Sequence, residues 1–221
     1  MNPEKLKNRH GKVWLNVGSG NFLMEDFVNV DSNYLSLAAP IYPLVRPFLK
    51  ERGRKWLDDF VELKKTRQFM FAHCGKPLPL PAGSVDHILA SHFLEHLYQV
   101  DAVKVVQSFH ALLKKSGTLH LIIPDIEAMA RRYVQNIGTR EATDAFVDHL
   151  GYHRKVMPNL AVRLLRALSV FDRDHLWMYD QYSLTTLCSE QGFEVMKTND
   201  TPSASWRAND LWQVNLAFRK K

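Results

Sequence analysis

Residues 12–20 read Lys-Val-Trp-Leu-Asn-Val-Gly-Ser-Gly, and residues 27–31 read Phe-Val-Asn-Val-Asp. The first apolar run ends in Gly-Ser-Gly and the second ends in an aspartate. This order is typical of two parallel strands whose carboxyl ends hold a nucleotide-bearing cofactor. Glycines let the backbone approach a ligand closely, and a carboxylate accepts hydrogen bonds from ribose hydroxyls. The pattern predicts a cofactor site at Val17, Gly18, Ser19, Gly20 and Asp31.

The glycine loop also discriminates between cofactors. Dinucleotide loops carry a third glycine in G-x-G-x-x-G, where this chain has Leu23, so the pyrophosphate pattern is incomplete. S-adenosylmethionine carries adenine and ribose without phosphate, and two glycines with an aspartate suffice for it. The alternative is an ordinary turn that ends a strand, because Gly-x-Gly alone is a weak signal.

Four ordered blocks of the sequence carry a family resemblance. They are LNVGSG at 15–20, FVNVD at 27–31, KPLPLPAGSVDHILASHFLEHL at 76–97 and LLKKSGTLHLIIPD at 112–125. Here, and again at 175–179 and 192–195, the chain resembles the class I S-adenosylmethionine-dependent methyltransferases, in particular a small bacterial branch associated with cell-surface polysaccharide and glycan biosynthesis. The resemblance implies a Rossmann-like α/β fold with a mostly parallel seven-stranded sheet, an antiparallel closing strand, helices on both faces and two helical insertions. It also implies S-adenosylmethionine as the cofactor.

Size and composition predict a single domain in a reducing compartment. The 221 residues are enough for one core, and Cys74 and Cys188 are too few for a disulfide framework or a four-thiolate metal site. No apolar run approaches the ~20 residues of a membrane span, and the polar start Met-Asn-Pro-Glu-Lys has no signal-peptide core. We therefore expect a cytoplasmic protein. The net charge of +6 accompanies basic clusters outside the motifs, which we expect to be solvated helix faces.

Hydrophobic periodicity predicts alternating strands and helices. Strands are expected at 13–17, 27–30, 68–72, 85–90 and 118–123, with a closing antiparallel pair at 194–199 and 211–218. Helices are expected at 48–64, 93–114 with a break near 99–101, 126–135 and 183–191. The stretch from Gly20 to Phe27 is too short for a full crossover helix, so the first helix should be abbreviated.

We expect one methyltransferase domain over residues 1–221. Its core comprises about 12–31, 68–125 and 175–219, and its insertions comprise about 32–67 and 126–174. In the second insertion, apolar residues recur at helical spacing over 156–171, with Arg163 and Arg166 on the other side. This basic amphipathic segment is either a lid helix packed on the sheet edge or a peripheral contact with the inner membrane surface or a lipid-linked substrate.

The resemblance implies further cofactor residues after the third and fourth strands. In the resembled family these strand ends lie at the ligand edge of the sheet. The methyl donor would lie over Ser91 and His92, and Glu95 would attract the ammonium of its methionine part. His73 and Cys74 would lie beside the adenine. Many relatives carry an acidic residue there, so His73 is a departure that leaves adenine recognition to the backbone around Cys74.

The same region contains a metal-like motif, His-x-x-Glu-His at 92–96. A zinc protease of this pattern holds both histidines within one helix, whereas His92 directly follows an apolar strand. No third ligand is identifiable from the sequence. We therefore expect no metal ion in the site.

Three side chains are candidates for positioning or deprotonating an acceptor. Asp125 follows the fifth strand and either contacts the acceptor or caps the helix 126–135. His175 lies where the family resemblance resumes, and it is either a general base or structural. His92 is the third candidate, with a hydrogen bond at the strand end as its alternative role.

These features predict methyl transfer by in-line displacement from the sulfonium to a nucleophile on the acceptor. The resemblance favours a hydroxyl of a small-molecule, sugar or lipid-linked glycan acceptor. The positive charge suggests a nucleic-acid methyltransferase as one alternative, but Ser91-His92-Phe93 replaces the Asn/Asp-Pro-Pro-aromatic tetrad of many base methyltransferases. A non-catalytic nucleotide-binding module is the other alternative.

Overall fold

One sheet organises the chain. The computed structural model describes residues 2–32, 34–49, 51–150, 175–206 and 212–221. Seven strands of this part form the sheet in the order β3-β2-β1-β4-β5-β7-β6. They are β1 (Trp14–Val17), β2 (Val28–Asp31), β3 (Gln68–Phe71), β4 (Val85–Ser91), β5 (Leu113–Pro124), β6 (Phe193–Met196) and β7 (Gln213–Lys220). Neighbours among β1 to β5 are parallel, whereas β7 is antiparallel to both β5 and β6. The predicted fold class is confirmed.

The helices within the described residues connect these strands. They are α1 (Tyr42–Val45), α2 (Glu51–Lys64), α3 (Gln99–Leu112), α4 (Ile126–Gln135), α5 (Arg140–His149) and α6 (Gln181–Glu190), with 3-10 turns at Pro3–Leu6, Tyr34–Ile41, Arg46–Phe48, Leu94–His96 and Thr198–Asp200. The helix expected over 93–114 is a 3-10 turn followed by α3, and it ends before β5 begins at Leu113. The amphipathic segment 156–171 lies outside the described residues. In the part that is described, no helix combines the length and the apolar character needed to span a bilayer.

The two faces of the sheet differ in polarity because alternate strand residues point to opposite sides. One face carries the main core, where Leu15, Ile88 and Leu121 pack with Val106 and Phe109 of α3. The other face carries several buried polar residues between its apolar ones: Asn16, Asn29, His87 and His120. Because the central strands are parallel, the loops that follow them meet at the carboxyl edge of the sheet.

The connection between β1 and β2 contains no helix, although we expected an abbreviated one. Two buried asparagines satisfy its backbone instead. Asn16 Nδ2 donates to Phe22 O and to Asn29 Oδ1, each at 2.9 Å. Asn29 Oδ1 also accepts from Met24 N at 2.8 Å, and its Nδ2 donates to Met24 O at 3.0 Å and to Gln68 O of β3 at 2.9 Å. The asparagines that interrupt the apolar strands therefore hold the loop in place of a crossover helix.

A second buried network ties a late loop to the same face. Thr118 Oγ1 lies 2.7 Å from His87 Nδ1, and Ser203 Oγ lies 2.9 Å from His87 Nε2 and 2.6 Å from His120 Nδ1. His120 Nε2 lies 2.6 Å from Asn215 Oδ1, which can only accept. One donor order satisfies every group with both histidines neutral. Burial, reinforced by His120, lowers the pKa of His87 to about 3, and burial also lowers the pKa of His120.

Candidate active site

The loop after β1 is bonded to the end of β2 at the carboxyl edge of the sheet. Gly18 N and Ser19 N donate to Val30 O at 2.9 and 3.2 Å, and Gly20 N donates to Asp31 Oδ2 at 2.8 Å. These three amides therefore donate within the protein in this conformation. The bond from Gly20 fixes the orientation of the Asp31 carboxylate.

The two glycines of the loop differ in the space around a possible Cβ atom. Gly18 has φ +72°, and a Cβ there would lie 2.9 Å from Phe93 Cβ, so packing against Phe93 excludes a side chain. Gly20 has φ +55° and nothing within 4 Å of a Cβ. Between them, the Ser19 hydroxyl is buried without a hydrogen-bond partner among the described residues. The space beside Gly20, rather than Gly18, is therefore open to a ligand.

The residues that follow β3 lie beside the end of β2, where Ala72 N donates to Asp31 O at 3.1 Å. Cys74 is buried, and its thiol donates to Val30 O at 3.4 Å. Burial, with the nearby Asp31 carboxylate, raises the pKa of Cys74 to about 12, so the residue is a neutral thiol and not a nucleophile. His73 is exposed, and its Nδ1 accepts from Gly75 N at 3.2 Å.

The end of β4 turns sharply at His92, which has φ +53°. This is the left-handed region, which a non-glycine residue rarely adopts, and the bond from His92 N to Ile122 O at 2.8 Å supports it. The ring is held on both sides. Gln213 Nε2 lies 2.8 Å from His92 Nε2, and Glu95 Oε1 lies 3.1 Å from His92 Nδ1. Both ring nitrogens of His92 therefore have a polar neighbour.

Glu95 follows in the 3-10 turn and is buried, with 1% of its side chain exposed. Neither carboxylate oxygen has a hydrogen-bond partner among the described residues; the contact with His92 has ion-pair distance but not hydrogen-bond alignment. The backbone carbonyl of Glu95 accepts from Leu176 N at 2.7 Å and Trp177 N at 3.3 Å. Burial, followed by the charges of Cys188 and Glu95, raises the pKa of Tyr179 to about 12.

Asp125 and His175 lie on the same edge with different surroundings. Asp125 Oδ1 accepts from Glu127 N at 2.9 Å, so this carboxylate is the N-cap of α4. The His175 ring lies 5.2 Å from the His96 ring between centroids. Glu95, His96 and His175 bring one donor atom each within 4.8 Å of one another. The sequence indicated each of these elements separately but not that they meet.

An aromatic cavity adjoins the end of β5. Its lining includes Tyr133 of α4, Phe146 of α5 and Trp212. The guanidinium carbon of Arg132 lies 4.6 Å from the centre of the Trp212 ring, a cation–π contact. Trp212 O accepts from Asp125 N at 2.9 Å, which places this wall directly beside the N-cap aspartate. Sequence reasoning missed the cavity because its walls come from separate segments.

Comparisons with known proteins identify the fold. A family model described as a methyltransferase domain matches residues 54–121. A SAM-dependent methyltransferase from Thermotoga maritima is similar with TM-score 0.50 and 16% identity, covering 95% of this chain and 82% of that chain. A Listeria monocytogenes protein assigned to the S-adenosylmethionine-dependent methyltransferases is similar with TM-score 0.52 and 12% identity, covering 95% of this chain and 90% of that chain. The chain has the methyltransferase fold. It has no significant match among curated proteins.

The domain match covers about a third of the chain, and the similar structures share its fold. Within the methyltransferase fold, Gly18, Gly20, Asp31 and Cys74 come together, and Phe93 connects this group to the turn that carries Glu95. Val17 is fully buried at the end of β1, and Ser91 ends β4.

Proposed function

We propose that this protein transfers a methyl group from S-adenosylmethionine to a hydroxyl oxygen of a small-molecule, sugar or lipid-linked glycan acceptor. The open space beside Gly20, next to an oriented Asp31 carboxylate, is the observation that carries the donor site. Because the Gly20 amide holds one carboxylate oxygen, Asp31 is preorganised to accept from ribose hydroxyls. The unpartnered Ser19 hydroxyl is consistent with a polar ligand at this place.

The residues around this space fit an adenosyl group in their chemistry. Cys74 supplies a neutral, buried surface suited to the adenine face, and Ser91 and His92 follow at the end of the neighbouring strand. Glu95 was expected to meet the ammonium of the donor, but a carboxylate with 1% exposure favours a smaller cation. When bound, S-adenosylmethionine supplies an activated methyl group, so the protein must mainly orient the acceptor, exclude water and accept one proton.

We propose Asp125 as the proton acceptor for the acceptor hydroxyl. His92 is engaged at both ring nitrogens, by Gln213 and by Glu95, and His175 lies against His96 and Glu95. Asp125 uses Oδ1 as a helix cap, and a carboxylate has a second oxygen through which it can accept. Its backbone bond to Trp212 places it beside the aromatic cavity.

The aromatic cavity supports a ring-bearing acceptor. Tyr133, Phe146 and Trp212 offer flat apolar surfaces, and Arg132 adds a cation and hydrogen-bond donors. In this conformation the cavity has room for about one water molecule, so a sugar, with its apolar ring face and hydroxyls, would contact the residues at the cavity mouth. We include lipid-linked acceptors because the segment 156–171 has the sequence pattern of an interfacial helix.

The experiment incubates the pure protein with S-adenosylmethionine labelled in the methyl group and with fractionated cell extract. The expected result is label in the glycan or lipid fraction, and less label with an Asp31→Ala variant at the same subsaturating donor concentration. Label in RNA or DNA would replace the proposal with a nucleic-acid methyltransferase. Calorimetric binding of S-adenosylmethionine without label in any fraction would favour the non-catalytic module.

A further inference from the structure

We propose that Glu95, His96 and His175 form a binding site for a divalent transition-metal ion at the end of β4. One ligand atom of each residue lies within 4.8 Å of the other two. The 3-10 turn Leu94–His96 presents Glu95 and His96 from consecutive positions. Hydrogen bonds from Leu176 N and Trp177 N to Glu95 O then fix the segment that carries His175. The site is therefore built by backbone contacts and not by loose surface side chains.

The burial of Glu95 is a second, independent observation. Its side chain is 1% exposed, and both carboxylate oxygens lack a hydrogen-bond partner in the described part of the chain. A buried carboxylate without hydrogen bonds is unfavourable, and the contact of Glu95 Oε1 with His92 Nδ1 at 3.1 Å has ion-pair distance only. A bound cation would give these two carboxylate oxygens the partner that the described residues do not provide.

The ligand types select the class of metal. Two imidazoles and one carboxylate suit Zn²⁺ and neighbouring transition ions better than Mg²⁺ or Ca²⁺, which prefer oxygen ligands. Zinc ligands lie about 2.0–2.2 Å from the metal, hence about 3.4 Å from each other in a tetrahedron. Starting from separations of at most 4.8 Å, side-chain adjustments of about 1 Å complete the geometry.

The ligand set differs from the His-x-x-Glu-His interpretation of the sequence. There His92 and His96 would have formed the pair, and no third ligand was identifiable. The structure instead directs His92 to Gln213 and brings His175 to His96 across an insertion. Three protein ligands leave at least one coordination position for an acceptor oxygen.

The role of the metal in catalysis rests on the proposed function. A hydroxyl bound to the metal becomes more acidic and is held in one orientation. Its proton passes to Asp125 as the new oxygen–carbon bond forms. The sulfur–carbon bond breaks and leaves its electron pair on sulfur, and the metal keeps its oxidation state. An oxygen acceptor able to chelate, such as a sugar with neighbouring hydroxyls, fits this arrangement.

The experiment titrates metal-free protein, prepared with a chelator, with Zn²⁺, Co²⁺ and Mg²⁺. We expect one equivalent of Zn²⁺ or Co²⁺ to bind and Mg²⁺ not to compete, with visible absorption bands from Co²⁺ in a nitrogen and oxygen environment. Glu95→Gln, His96→Ala and His175→Ala should each weaken Co²⁺ binding at least about tenfold. His10→Ala, at an exposed histidine that precedes the amino end of β1, is the matched control and should bind as the wild type does.

Circular dichroism and thermal melting establish that each variant is folded. If an alanine variant does not fold, Glu95→Gln still tests the site because it keeps the shape of the side chain. If the wild-type protein binds neither Zn²⁺ nor Co²⁺, the proposed metal site is refuted. If His92→Asn weakens Co²⁺ binding as much as His96→Ala does, while His175→Ala binds Co²⁺ as the wild type does, the ion belongs to the His-x-x-Glu-His motif. This result would also refute the proposed site. Calorimetry with S-adenosylmethionine is run separately on the wild-type protein. If the wild type binds Co²⁺ but not S-adenosylmethionine, the proposed function is refuted and the metal site is not.

Discussion

Replacing each loop glycine by alanine should separate packing from ligand binding. Gly18→Ala puts a Cβ 2.9 Å from Phe93 Cβ at φ +72°, whereas Gly20→Ala puts one in open space at φ +55°. The left-handed backbone costs an alanine about 1 kcal/mol in both variants. Overpacking against a buried ring adds about 1–3 kcal/mol at Gly18 only. We therefore expect Gly18→Ala to lose about 2 kcal/mol more unfolding free energy than Gly20→Ala.

Donor binding should show the opposite order. A methyl at position 20 enters the space assigned to S-adenosylmethionine, so Gly20→Ala should lower donor affinity about tenfold, or about 1.4 kcal/mol. Gly18→Ala, once folded, should bind more nearly as the wild type does, because its methyl faces Phe93.

The assays are urea unfolding followed by tryptophan fluorescence, with the denaturant slope compared between variants, and calorimetric titration with S-adenosylmethionine. Unfolding free energies of the two variants that agree within about 0.5 kcal/mol would refute the packing argument, since surface changes alone fall in that range. A Gly20→Ala variant with wild-type donor affinity would refute the assignment of the open space.

The remaining predictions concern charge and buried hydroxyls. Burial lowers the folded-state pKa of His87 to about 3 and also lowers that of His120. Below about pH 6.5 the unfolded chain therefore binds more protons than the folded protein, and the free energy of unfolding should decrease as the pH is lowered. The contribution of His87 alone should reduce it by about 2 kcal/mol at pH 5. Constant stability between pH 7 and pH 5 in urea titrations would contradict this. Asp31→Ala should weaken S-adenosylmethionine binding by about 1–3 kcal/mol through a lost charge-assisted hydrogen bond, and unchanged calorimetric affinity would remove Asp31 from the site. Tyr179→Phe removes a buried hydroxyl without a partner in the described residues, so its melting temperature should stay the same or rise; a clear decrease would reveal a hydrogen bond.

Sequence periodicity located most strands because alternation or a continuous apolar run is a local property. The start of β5 was wrong for a non-local reason. Residues 113 and 114 continue the helical pattern of α3, but Leu113 pairs with Val85 across the sheet, so tertiary pairing overrides local propensity. The absent helix after β1 has a similar origin, since buried Asn16 and Asn29 satisfy the loop.

The candidate site was predictable only as separate pieces. Gly18, Asp31 and Glu95 are recognisable because each follows an apolar run, but their environments depend on partners far along the chain. Phe93 looks like an ordinary apolar residue, and its contact with Gly18 cannot be inferred from spacing. His175 reaches His96 from beyond the second insertion, and no sequence pattern links the two positions.

The Asn29 side chain adds a second link between the β1–β2 connection and β3, beside the pairing of β2 with β3. The same amide bonds Met24 in the β1–β2 connection and Gln68 of β3. A donor molecule that stiffens the connection should therefore also slow hydrogen exchange in β3. Donor binding beside Gly20 should therefore be detectable as slower amide hydrogen exchange in β3, the edge strand on that side of the sheet.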